Sequence, residues 1–178
     1  MFKHLMIDLE TLGLTPGCVI TQIGLVAFNE DDDEITSEQI RVSIDSCLRA
    51  GLTVDGSTIR WWFGQSADAR AEMANDDGLS LAPAIAAVHN FVNSYAQSAK
   101  IWAHGASFDP PILEAAAKAV DLGVPWHFRK IRDTRTLVDL SPRVEKPDPE
   151  IAHSAVHDAI SQAIWTRSML RALRAEQK

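Results

Sequence analysis

The sequence predicts an α/β fold in which a mixed β-sheet carries helices on both faces. Three observations point to it. Short runs rich in Val, Ile, Leu and Phe fill residues 5–44 and read as strands. After Ser57, apolar residues fall at helical spacing and alternate with further short strand-like runs. Apolar residues make up 46% of the 178 residues, enough for a core in one domain spanning 1–178. No apolar run approaches the roughly 20 residues of a membrane span.

Leu5, Met6 and Ile7 open a buried strand. Residues 19–28 form a second strand. Residues 38–44, where apolar and polar side chains alternate, form a half-exposed third. Short turns join these into an antiparallel meander. Residues 57–73, with Ile59, Trp61, Trp62, Phe63, Ala67 and Met73, make two short helices. Ser80 suits an N-cap and Pro83 a first helical turn, after which Ile85, Val88, Phe91, Val92 and Tyr95 keep helical spacing. Lys100–His104 reads as a strand. The next helix has Pro110 and Pro111 in its first turn, apolar residues through Val120, and Gly123 and Pro125 as stop signals. Phe128–Ile131 reads as a fifth strand, and Asp133 as the cap of a helix over Thr134–Leu140. Pro142, Pro147 and Pro149 mark Ser141–Ala152 as a loop. One long helix then runs from Ser154 to about Ala175.

The net charge of −7 argues against a long-groove binder of duplex DNA. Glu30-Asp31-Asp32-Asp33-Glu34 reads as a solvated turn, and Arg167, Arg171 and Arg174 as a solvated face of the last helix. The N-terminus has no secretory pattern. Cys18 and Cys47 lack metal-ligand spacing, and the expected setting is reduced and cytoplasmic.

The chemistry begins with Asp8 and Glu10. Two residues apart on a strand, they share a face at its end. Two close, partly buried carboxylates repel, and a divalent cation between them removes the repulsion; oxygen ligands suit Mg²⁺ or Mn²⁺. Taken alone, the pair is more often two polar residues closing a strand. Asp109 follows the strand at 100–104, after Gly105 and Phe108, and taken alone is best read as a helix cap. Asp158 lies in the first turns of the last helix between the small Ala155 and Ala159, with His153 five residues upstream. Its simplest role there is to face the helix dipole.

In order, Asp8-x-Glu10, Phe108-Asp109 and His153-x-Ala155-x-x-Asp158-Ala159 resemble the three exonuclease motifs of the DEDD superfamily, the DnaQ-like 3′→5′ exonucleases, in its histidine subtype. The resemblance spans residues 5 to about 170. It is strongest to small stand-alone phage and bacterial exoribonucleases, through Arg60-Trp61-Trp62 and Asp133-Thr134-Arg135-Thr136-Leu137. One departure is that His104 and Gly105 stand where the family often carries an Asn.

The resemblance implies a ribonuclease H-like fold with a five-stranded mixed sheet. It implies metal-dependent 3′→5′ hydrolysis of single-stranded nucleic acid to nucleoside 5′-monophosphates, with two Mg²⁺ or Mn²⁺ ions. Asp8, Glu10, Asp109 and Asp158 would hold the ions, Asp8 bridging both, and His153 would be the general base. Thr11 and Leu12 would bind the 3′ end, through their amides and the Leu12 side chain, with Trp61, Trp62 or Phe63 available for stacking. Core packing is the expected role of at least two of those three aromatics. Arg129, Lys130, Arg132 and Arg135 are candidates to meet phosphates. The expected partners are 3′ ends of RNA or DNA, tipped toward RNA, with no membrane and with a homodimer as the family's common assembly. The alternative is a non-catalytic nucleic-acid or protein-binding module on the same fold. Loss of a carboxylate would mark that alternative, and none is lost.

Overall fold

The computed structural model describes residues 1–74, 77–141 and 143–175. Among them a five-stranded sheet runs in the order β3-β2-β1-β4-β5. Strands β1 (His4–Thr11), β2 (Ile20–Phe28) and β3 (Ile35–Arg41) form the expected antiparallel meander. β4 (Lys100–Ala103) lies parallel to β1, and β5 (Ile131–Asp133) parallel to β4. The sheet is therefore mixed, and the fold is ribonuclease H-like.

The period-2 pattern of β1 divides the core. Leu5, Ile7 and Leu9 face one cluster, with α4 (Leu81–Phe91) and α5 (Asp109–Lys118). Met6 faces the other, with Val26, Phe28 and Trp102 from the sheet, Leu137 of α6 (Thr134–Leu140), and Ala159, Ala163 and Met169 of α7 (Ala155–Ala175). Helices thus cover both faces, as expected. Asp8 and Glu10 share the parity of Met6 and turn toward the α7 side.

The two short helices expected over 57–73 are α2 (Gly56–Phe63) and α3 (Ala67–Met73). Asp133 caps α6 by accepting from the Arg135 amide. α4 continues into a π-helical turn over Val92–Ala96, which contains Tyr95. Pro142 of the proline-marked loop lies outside the described residues.

Several expectations need correction. The third strand ends at Arg41, and residues 44–49 form a helix, α1 (Ile44–Arg49). Ser43 causes the switch, because its hydroxyl accepts from the Ser46 amide and nucleates the turn. The fifth strand starts at Ile131; Phe128–Lys130 is a 3₁₀ turn, capped by the His127 ring accepting from the Arg129 amide. α5 ends at Lys118, short of Val120.

The acidic turn and the α7 arginines are largely exposed, as expected, except for the buried Glu30 and Arg167; what the sequence did not show is that the two groups pair. Arg167 and Arg171 pair with Asp33, and Arg174 pairs with Glu30. Glu30 is only 4% exposed. Its other oxygen accepts from His4 Nε2 at 2.9 Å, while Trp102 Nε1 donates to His4 Nδ1 at 2.9 Å, which leaves the imidazole proton on Nε2. Each group looks like surface in the sequence; packing of α7 over the β2–β3 turn joins them. No helix among the described residues is long and apolar enough to cross a membrane.

Candidate active site

β1 carries Asp8 and Glu10 to the carboxyl end of the sheet, beside the end of β4. There a cavity of about 250 Å³ is lined by Asp8, Glu10, His104, Asp109, His153, Asp158 and Gln162, with Leu9 and Phe108 as apolar walls. All four carboxylates singled out in the sequence, and His153, line this one space. Side-chain ligand atoms of Glu10, His153 and Asp158 lie within 4.8 Å of one another.

Each residue has a local reason to be there. Asp109 opens α5, and its Oδ1 accepts from the Leu9 amide at 3.1 Å, across 100 residues of sequence. The start of α7 lies close against β2 because Gly24, the ladder partner of Asp8, has no side chain. A Cβ at Gly24 would overlap the backbone of Ala155 and Val156. The Gln22 side chain, opposite Glu10, then caps the helix by accepting from the Ala155 amide at 3.1 Å. Asp158 follows one turn later.

His153 sits in the turn before α7 with φ +61°, left-handed backbone that a residue other than Gly seldom adopts. Its amide donates to Asp158 Oδ2 at 2.8 Å. Its ring meets Trp61 edge-on, with centroids 4.9 Å apart. His157 leaves the site: it faces Glu150 at 3.9 Å and the 147–150 loop.

The charges are frustrated. Burial, then the carboxylates of Asp109, Glu10 and Asp158, hold Asp8 well above the ordinary carboxylate range. Burial, then Asp158 and Asp109, push Glu10 up to about 8. Burial raises Asp109 to about 7, against the opposing pull of the Leu9 amide. Burial first, then Arg135 and Lys146, push His104 down. Without a cation Glu10 and Asp109 retain protons near neutrality. Gln162 adds an acceptor, Oε1, that is buried and unpartnered, while its Nε2 donates to Asp8 Oδ1 at 2.7 Å. Hard oxygen donors with excess negative charge fit a divalent cation of the Mg²⁺ or Mn²⁺ kind.

A second pocket, about 490 Å³, adjoins the first. Glu10, Thr11, Leu14, Trp61, Trp62 and Phe108 are among its lining residues. Thr11 is there as expected, but its hydroxyl donates to Gly13 O. Leu12 is not. Its amide donates to Val19 O at 2.9 Å, and its side chain is in the core. A register shift between Glu10 and Thr11 turns the chain, so Leu14, 64% exposed, reaches the pocket instead. Of the three aromatics only Trp62 is buried, its Nε1 donating to Thr11 O at 2.9 Å. Trp61 and Phe63 are exposed, against the expectation that at least two would be core.

Sequence reasoning missed Gln162 and Leu14. Gln162 was detectable in principle, since it lies four residues after Asp158 on one helix face. Leu14 carried no such signal.

A ribonuclease H-like sheet ending in converging carboxylates is the framework of a nuclease. The family model of the Rv2179c-like 3′–5′ exoribonuclease domain matches residues 3–170, and the chain belongs to that family and is an exonuclease. It is also similar to a protein named exodeoxyribonuclease from Enterobacteria phage T4, 27% identical over 200 residues, covering 93% of this chain and 88% of the phage protein.

Proposed function

We propose that the whole chain is one 3′→5′ exonuclease domain of the DEDD histidine type. It releases nucleoside 5′-monophosphates from single-stranded nucleic acid, RNA before DNA, in a reduced, cytoplasmic setting. The observation that carries this reading is the meeting of Asp8, Glu10, Asp109, Asp158 and His153 around one cavity with an aromatic-walled pocket beside it. The two cysteines, buried and unpaired, agree with the setting.

Asp8, Glu10, Asp109 and Asp158 would hold Mg²⁺ or Mn²⁺. Bound as a pair, such ions supply Lewis acidity to the attacking and leaving oxygens. The remaining tasks fall to the protein. His153 takes the proton of the attacking water, a role suited to imidazole. Gln162 orients Asp8. Trp61 and Leu14 hold the terminal base, Leu14 taking the role expected of Leu12, and Thr11 lines the floor. The preference for RNA draws on the family description; the phage relative's name points to DNA, so both are tested together.

The test uses 5′-labelled RNA and DNA strands of one sequence with Mg²⁺ or Mn²⁺. The expected result is a ladder receding from the 3′ end, faster on RNA. Internal cutting, or turnover of mononucleotides alone, would reject the exonuclease reading. A faster DNA ladder would reject only the RNA preference.

A further inference from the structure

A path leads out of the site in one direction. The aromatic-walled pocket lies by α2 and β1, the carboxylates by β1 and β4, and His104 and Gly105 just after β4. Arg135 is next: a Cβ on Gly105 would lie 3.3–3.4 Å from its guanidinium. Beyond Arg135 the chain leads back along β5, the edge strand, to Arg132, Lys130, Arg129 and Phe128.

Positive charge is dense along this edge. Arg129, Lys130, Arg132 and Arg135 are exposed, and none makes an ion pair among the described residues. Lys3, Arg41, Arg167, Arg171 and Arg174 meet carboxylates; the other unpaired cations among the described residues are scattered along the sequence and form no comparable run. In a chain of net charge −7, Arg129, Lys130, Arg132 and Arg135 fall within one short stretch that leads to the acidic cavity, Lys130 and Arg132 also donating to the backbone carbonyls of Ser98, Arg129 and Ile131. Phe128 stands among them 67% exposed, with the Arg129 guanidinium 5.8 Å from its ring centroid. Its chain neighbours His127 and Lys130 line a cavity of about 410 Å³ together with Gln97, Pro125 and Trp126. Cations on an edge strand also block edge-to-edge pairing. That task needs neither an exposed Phe nor cations continuing past the strand to the active site. A run of cations with an exposed aromatic at its end fits a single strand of nucleic acid, phosphates on the cations and a base on the ring.

We propose that the β5 edge anchors the 5′-ward stretch of the strand whose 3′ end occupies the active site, phosphates meeting Arg135, Arg132, Lys130 and Arg129, and a base stacking on Phe128. This rests on the exonuclease reading above. Its consequence is length selection: oligomers that reach the edge are held, and very short ones are not.

The experiment measures binding in Ca²⁺ and cleavage in Mg²⁺ for labelled single strands of about 12 and about 3 nucleotides, across a salt series. Wild type should favour the longer strand by about tenfold or more, as expected for several added phosphate contacts. The triple variant Arg129→Gln, Lys130→Gln, Arg132→Gln should lose that length dependence, its long-strand constants falling toward those for the short one. Its log K against log salt slope should drop by about 2, the share of three phosphate contacts on a single strand. Phe128→Ala should weaken the long strand by about tenfold and leave the salt slope alone. Equal handling of both lengths by wild type, an unchanged slope in the triple variant, or equal competition by polyglutamate of matching charge would each overturn the anchor. A protein that binds the long strand through these residues yet cuts no 3′ end would keep the anchor and overturn the exonuclease reading.

Discussion

Asp8 is the residue on which the others converge. It touches Gln162, and the charges of Asp109, Glu10 and Asp158 all bear on it. Asp8→Ala should abolish nuclease activity. It should also leave the metal-free protein as stable as wild type or more so, because the variant removes a repelled, desolvated carboxyl. Turnover at wild-type rate under Mg²⁺ would refute its assignment as a ligand; a melt in EDTA reads the stability. His153 and His157 separate in a different way. Only His153 lies beside Glu10 and Asp158, and its left-handed backbone makes Asn the better-tolerated replacement. His153→Asn should lower kcat by about 10²–10⁴-fold, the range for a lost general base, with Mn²⁺ still raising the melting temperature. His157→Ala should change kcat little. The reverse ranking in steady-state kinetics would exchange their roles.

At the scale of elements, the site depends on how closely α7 approaches β2. Gly24 permits that approach, and Gln22 caps the helix that results. Gly24→Val puts side-chain atoms where the Ala155 and Val156 backbone lies. The helix must shift, at about 1–3 kcal/mol of stability by the usual scale of overpacking. Asp158 moves with it. The expected outcome is a folded protein with a lower denaturation midpoint and kcat reduced by more than tenfold, since misplacement of about 1 Å can cost 10²-fold. Wild-type kcat in a destabilised Gly24→Val would show that the helix start does not set the geometry of Asp158.

For the molecule as a whole, the acidic cavity couples folding to pH and to metal. Glu10 and Asp109 stand at about 8 and about 7, and Asp8 is also raised. Unfolded carboxyl groups titrate near 4. A group whose pKa is higher when folded binds its proton more tightly in the folded state. Its contribution to stability is full below the unfolded pKa and is lost as pH rises through the folded one. In EDTA, these groups should therefore lower stability progressively between about pH 4 and about pH 8. Mn²⁺ needs the same carboxylates deprotonated, so its stabilisation should be small at the acid end and largest at the alkaline end. A melting temperature in EDTA that stays flat across this window, or a Mn²⁺ shift independent of pH, would contradict the carboxylate frustration.

What the sequence by itself determined is what local pattern encodes. Alternation in β1 put Asp8 and Glu10 on one face of a buried strand. Helical spacing and caps set α5, α6 and α7 to within a few residues, and the order of the acidic motifs singled out the carboxylates that line the cavity. Contacts between distant elements were not legible, because they depend on register, bulges and helix approach. The shift at Glu10–Thr11 put Leu14 rather than Leu12 at the pocket. The Ser43 cap turned the end of a presumed strand into α1. The acidic turn and the α7 arginines each read as solvated, since a charged run carries no record of its partner 130 or more residues away; only the packing of α7 across the sheet brought Arg171 and Asp33 to 3.0 Å.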